Sequence, residues 1–90
     1  MKKKYVKKPT LIEAVQWKGT NLTEIRSFSR NVRCIYHEFV GASPVAAELV
    51  IPTPKGEMHA KVGDYIIKNA RGEFYPCARE VFEETYDEVD

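Results

Sequence analysis

The apolar positions of this chain change their period several times, and each change predicts an element. From Thr10 to Trp17, Leu11, Val15 and Trp17 fall on one side of an extended chain, with Ile12, Ala14 and Gln16 on the other. Apolar residues on both faces predict a central strand. Lys18-Gly19-Thr20-Asn21 breaks the alternation, and Leu22, Ile25 and Phe28 then recur at helical spacing. That predicts a short amphipathic helix through Ser29, capped by Asn21 or Thr20, with Glu24 in its first turn.

Arg33 to Val40 is rich in strand formers and is ended by Gly41-Ala42-Ser43-Pro44. Pro44 to Ala47 reads as a loop and Glu48 to Thr53 as a strand whose Pro52 belongs at an edge or a strand end. Thr53-Pro54-Lys55-Gly56 has turn chemistry, with Gly56 open to positive φ, and joins that strand to Glu57–Val62 as a hairpin. In the second strand Met58, Ala60 and Val62 alternate with Glu57, His59 and Lys61, which predicts one buried and one wet face. Val62-Gly63-Asp64 turns the chain into Tyr65–Lys68. Asn69-Ala70-Arg71-Gly72 turns it again into Glu73–Cys77, with Gly72 left-handed. Arg79 to Glu84 fits one or two helical turns, and Thr85 to Val89 an edge strand. The sum is an α+β fold: an antiparallel meander of about five to seven strands, bent or partly closed into a barrel, with one main helix.

Ninety residues supply one core, so the chain is read as a single domain, a basic arm at 1–8 and a globular part at 9–90. With 43% hydrophobic and 30% charged residues it belongs among folded rather than disordered chains. Two cysteines, Cys34 and Cys77, make no disulfide framework, no apolar stretch follows the lysines to act as a signal peptide, and no apolar run reaches membrane-spanning length. A reducing cytoplasm and no membrane are therefore expected. Net charge is +1 but unevenly spread: five lysines lie in the first eight residues, and six carboxylates with no lysine or arginine lie from Glu80 onward.

Candidate chemistry is sparse. Trp17, between Gln16 and Lys18, is either a core residue or an indole able to stack on a purine. Lys68, Arg71 and Tyr75 surround one hairpin, where a phosphate would meet two cations and a phenol hydroxyl; otherwise they form a solvated turn. Arg33, with Arg30, lies after the helix, where a cation complements the helix dipole, and completes the candidate ligand-binding set. Cys34, His37, His59 and Cys77 lack the two close pairs of a structural zinc site, and the thiols read better as small apolar side chains. Ser27, Ser29 and Ser43 have no nucleophile elbow, and the carboxylates are strewn along wet faces. Tyr36, Tyr65, Tyr75 and Phe74 read as core or subunit interface. Neither an enzyme, nor a metal, nor a cofactor is expected.

Three segments carry a resemblance: Lys7-Lys8-Pro9 with Ile12-Glu13-Ala14-Val15-Gln16-Trp17; Gly63-Asp64-Tyr65-Ile66-Ile67-Lys68; and Gly72-Glu73-Phe74-Tyr75-Pro76-Cys77 with Phe82-Glu83-Glu84-Thr85-Tyr86. Together they resemble a family of small bacteriophage- and prophage-encoded proteins, mostly without an assigned function. The resemblance implies an accessory protein that acts in the host bacterial cytoplasm against host defences. The leading expectation is a non-catalytic homo-oligomer that sequesters a small anionic, nucleotide-derived immune signal. A second is a protein–protein inhibitor of a host defence nuclease or sensor, in which the acidic end imitates nucleic acid. A third is a single-stranded nucleic-acid binder using Met1–Lys8.

Overall fold

Alternating apolar and polar residues sort the extended segments into antiparallel pairs, and two short helices close the ends. The computed structural model describes residues 2–6, 8–37 and 45–89. Among these the order is β1 (Glu13–Gln16), α1 (Leu22–Phe28), β2 (Arg33–His37), β3 (Val45–Thr53), β4 (Gly56–Lys61), β5 (Tyr65–Lys68), β6 (Phe74–Cys77) and α2 (Arg79–Thr85). The strands form two three-stranded sheets, β1-β5-β6 and β2-β3-β4. The fold is α+β and is not a closed barrel.

Turn chemistry accounts for the hairpins. At the β3–β4 turn Gly56 takes φ +107°, which suits glycine, while the Thr53 hydroxyl donates to the Gly56 carbonyl at 2.7 Å and accepts from the Lys55 N–H at 3.1 Å. Pro52 is the next-to-last residue of β3, beyond the last residue paired with β2, so its missing N–H costs no ladder bond. The β5–β6 loop is knitted by Asn69. Its Oδ1 accepts from the Arg71 and Glu73 N–H groups, both at 3.0 Å, and its Nδ2 donates to Glu73 Oε1 at 2.9 Å.

The expected single meander breaks at Gly63. There φ is +101°, the Gly63 N–H donates to the Trp17 carbonyl at 2.7 Å, and the Trp17 N–H donates to the Asp64 carbonyl at 2.8 Å. These bonds pull β5 away from β4 and onto β1, with Val15 opposite Ile66 and Gln16 opposite Tyr65. A consequence is that β1 lies at a sheet edge, not at its centre. Its apolar residues on both faces are accounted for by packing: Val15 packs against the core, and Ala14 is half-buried on the outer face.

The core lies between the sheets and under α1. Trp17, Ile25, Leu49, Ile51, Ala60 and Ile66 are all 0% exposed, and each large aliphatic among them contributes roughly 1.5–3 kcal/mol by burial. Leu22 and Phe28 flank Ile25 on α1 as the helical spacing requires, and Phe28 meets Phe74 edge-on at 5.3 Å. In β4 only Ala60 is buried; Met58 is 38% exposed, and Val62, which lies beyond the strand end at Lys61, is 50% exposed. The expected apolar face of that strand is therefore realised at one position.

Other expectations need correction. β3 starts at Val45, so Val45 to Ala47 are strand and not loop. Thr85 ends α2, and residues 86–89 pair with no strand; the Tyr86 N–H instead closes the helix on the Phe82 carbonyl at 2.9 Å. The expected strand end at Val40 and the Gly41–Pro44 break lie outside the described residues. No described helix is long and apolar enough to cross a membrane.

Candidate functional site

Register parity decides the fate of the residues expected to bind an anion. Along β5 and β6, Lys68 lies opposite Phe74 and Ile67 opposite Tyr75. Side chains directly opposite share a face and neighbours alternate, so Lys68 and Tyr75 leave opposite faces of the sheet. Arg71 is exposed at the loop tip. Arg33 belongs to the other sheet, where its guanidinium pairs with Glu57 at 2.8 Å on the outer face. Trp17 has no exposed surface at all and is a core residue, with its Nε1 lacking a hydrogen-bond partner among the described residues. The structure does not bring Trp17, Arg33, Lys68, Arg71 and Tyr75 together.

The outer face of β2-β3-β4 carries a second polar set. Besides Arg33 and Glu57, His59 Nδ1 meets Glu48 Oε1. Val50, opposite both Arg33 and His59, is only 2% exposed between these pairs. The opposite charges of Arg33 and Glu57 and the His59–Glu48 contact roof a valine, which gives a structural face rather than a ligand site. Among the described residues no three His, Cys, Asp or Glu side chains cluster as metal ligands.

What the fold does build is a groove of about 1080 Å³ beside β1, bounded by residues 8–12, by β1 itself and by residues 82–89. Three features give it character. The first is an aromatic wall: the Tyr65 and Phe82 rings stack at 3.9 Å and 11°, and Tyr86, one helical turn on, lies 5.0 Å from Phe82. The second is charge, because Glu24, Glu83, Asp87 and Glu88 line the groove against Lys8 and Lys18. The third is the unpaired side of β1. Trp17 and Val15 bond inward to the β5 side, so the alternation of an antiparallel ladder turns the amides of Ala14 and Gln16 outward. The Gln16 carbonyl accepts from Asn21 Nδ2 at 2.8 Å. The N–H and carbonyl of Ala14 and the N–H of Gln16 have no backbone partner among the described residues.

Asn21 sets the end of the groove. It occupies the helix N-cap position without a side-chain capping bond; its Oδ1 accepts from the Lys18 N–H at 2.8 Å and its Nδ2 also reaches Glu24 Oε1 at 2.7 Å. The side chain thus fixes the β1–α1 loop, and Glu24 with it. Helix α2 is held differently. It has no buried residue and no side-chain cap, and its Arg79–Glu83 pair at 3.7 Å is exposed. Its anchor is Phe82 against Tyr65.

Cys77 lies opposite Tyr65 at the start of this wall. Burial, and secondarily the Asp64 carboxylate, push its thiol above the ordinary cysteine range. Less thiolate is present at mildly alkaline pH than in a free cysteine, so alkylation of Cys77 by iodoacetamide at pH 8 is expected to lag behind that of a cysteine peptide. Asp64→Asn should speed it; an alkylation rate equal to the peptide's would refute the assignment.

Sequence reasoning missed the groove because its walls come from segments some 70 residues apart, near 8–16 and 82–89. Only the acidic bias after Glu80 hinted at one of them. In comparisons with known proteins, no family model, no curated protein and no solved structure matches the chain.

Proposed function

We propose that the chain is a non-catalytic protein-binding module that receives an extended, basic segment of a partner along the outward amides of β1. One observation carries this reading: four carboxylates and an aromatic wall converge on a strand edge where the Ala14 and Gln16 N–H groups have no backbone partner among the described residues. An extended peptide added to such an edge gains main-chain hydrogen bonds, and alternate side chains supply selectivity. Lysine or arginine side chains on the added strand would meet Glu24, Glu83, Asp87 and Glu88. In the phage setting that the resemblance implies, the partner is a host defence nuclease or sensor in the bacterial cytoplasm, bound through a basic surface. The nucleotide-sequestering alternative finds less support, because the groove carries more carboxylates than cations and the expected anion-binding residues are dispersed.

The test is fluorescence anisotropy with a labelled eight-residue peptide of alternating lysine and valine, against its glutamate counterpart. The lysine peptide is expected to bind and the glutamate peptide not. Ala14→Pro removes an outward N–H and leaves the β5 ladder intact, and should weaken binding about tenfold or more, equivalent to roughly 1.4 kcal/mol. The combined Glu83→Gln, Asp87→Asn and Glu88→Gln change should do the same and steepen the loss at low salt. Equal binding of both peptides, or uptake of a cyclic or ADP-ribose-type nucleotide in calorimetry, overturns the reading.

A further inference from the structure

Residues 2–6 have no strand or helix, and Tyr5 and Val6 are 87% and 92% exposed. Leu11, where this segment joins the body, is 79% exposed. Every residue from Lys2 to Val6 is exposed. The segment is basic, with Lys2, Lys3 and Lys4, and it mixes those cations with Tyr5 and Val6. Such a strand is what the groove lacks. It does not fill its own groove, because residues 8–12 run directly into β1 as part of the groove's wall and the residues before them stand clear.

Resting on the groove reading above, we infer that two copies of the chain exchange these segments, each laying its residues 2–6 along the Ala14–Gln16 edge of the other. Each chain carries both halves of the contact: a basic, partly apolar strand and an acidic edge groove. Such self-complementarity closes as a two-fold dimer rather than an open chain. Lys2 and Lys4, which share one face of the added strand, then meet Glu83, Asp87 and Glu88 across the interface, Tyr5 and Val6 lose their exposure, and the outward amides of Ala14 and Gln16 gain partners. The exchanged strand also occupies the site of the partner peptide, so the dimer is the closed form and the monomer the receptive one.

Sedimentation velocity on the full chain tests this. The wild-type chain is expected to dimerise at low salt and to dissociate as salt rises. Removing residues 2–6, or making Lys2→Glu, Lys3→Glu and Lys4→Glu together, should give a monomer. Reversal of the groove by Glu83→Lys, Asp87→Lys and Glu88→Lys should give a monomer too. The two reversed variants mixed in equal amounts should recover a heterodimer, an outcome that misfolding of either would not produce. The shortened chain should bind the lysine–valine peptide several-fold more tightly than the wild-type chain. A wild-type monomer at all concentrations, or a dimer that survives loss of residues 2–6, overturns the exchange. If the wild-type monomer still takes the lysine peptide, only the exchange falls; if it takes none, the groove reading falls with it.

Discussion

Trp17→Ala is expected to cost about 3–5 kcal/mol, the range for emptying a large aromatic site in a core. The residue is fully buried where both sheets and α1 meet, and it packs with Ile25, Leu49, Ile51 and Ile66. A domain of this size has a total stability of only about 5–15 kcal/mol, so the variant approaches unfolding at physiological temperature. The expected drop in Tm exceeds about 12 °C. Trp17→Phe should be milder, since Nε1 makes no hydrogen bond among the described residues and its removal breaks none. Thermal melts followed by circular dichroism give the comparison. An alanine variant melting within about 4 °C of the wild-type protein would mean that Trp17 is not the centre of the core.

The second large effect is expected at Gly63, the corner where the chain leaves one sheet for the other. Its φ of +101° is a region that side chains rarely adopt, yet a Cβ built there would meet nothing within 4 Å. The cost of a substitution is therefore backbone strain and not crowding. Gly63→Val should lose about 1–3 kcal/mol, Gly63→Asn less, and a semisynthetic D-alanine at the same position nothing. Denaturant unfolding of the three proteins reads this directly. Equal losses for L-valine and D-alanine would locate the cost in packing and refute the strain account. Because the Gly63 N–H also holds the Trp17 carbonyl, the valine variant should also loosen β1 and weaken peptide binding.

Local chemistry made much of the fold legible. The helical spacing of Leu22, Ile25 and Phe28, the turn residues Pro54 and Gly56, and the left-handed Gly72 each act within a few residues of their own position, and each lies where the pattern implied. The partition into two sheets was not legible. It depends on two hydrogen bonds between Trp17 and the Gly63–Asp64 turn, and no periodicity records a bond between segments that far apart. The dispersal of the expected anion-binding set has a different reason. Lys68, Arg71 and Tyr75 are near in sequence and belong to one hairpin, but nearness on a ladder says nothing about face until the register is known, and Lys68↔Phe74 separates them. Trp17 was legible as core and less so as a ligand platform, as a lone tryptophan in a small domain generally is. The strand expected after Thr85 rested on β-formers alone; Phe82 stacks on Tyr65 within α2, and residues 86–89 beyond the helix pair with no strand among the described residues.

Helix α2 contributes none of its side chains to the interior, although it forms one wall of the groove. On the proposed reading, the acidic wall of the groove is therefore separate from the buried residues that govern whether the chain folds. Under selection, the acidic positions from Glu80 to Glu88 are free to drift, follow a changing target or lose it altogether, while Phe82 on Tyr65 and the interior stay under their own separate constraint. Related chains built on this plan should keep their buried residues and diverge along that one wall.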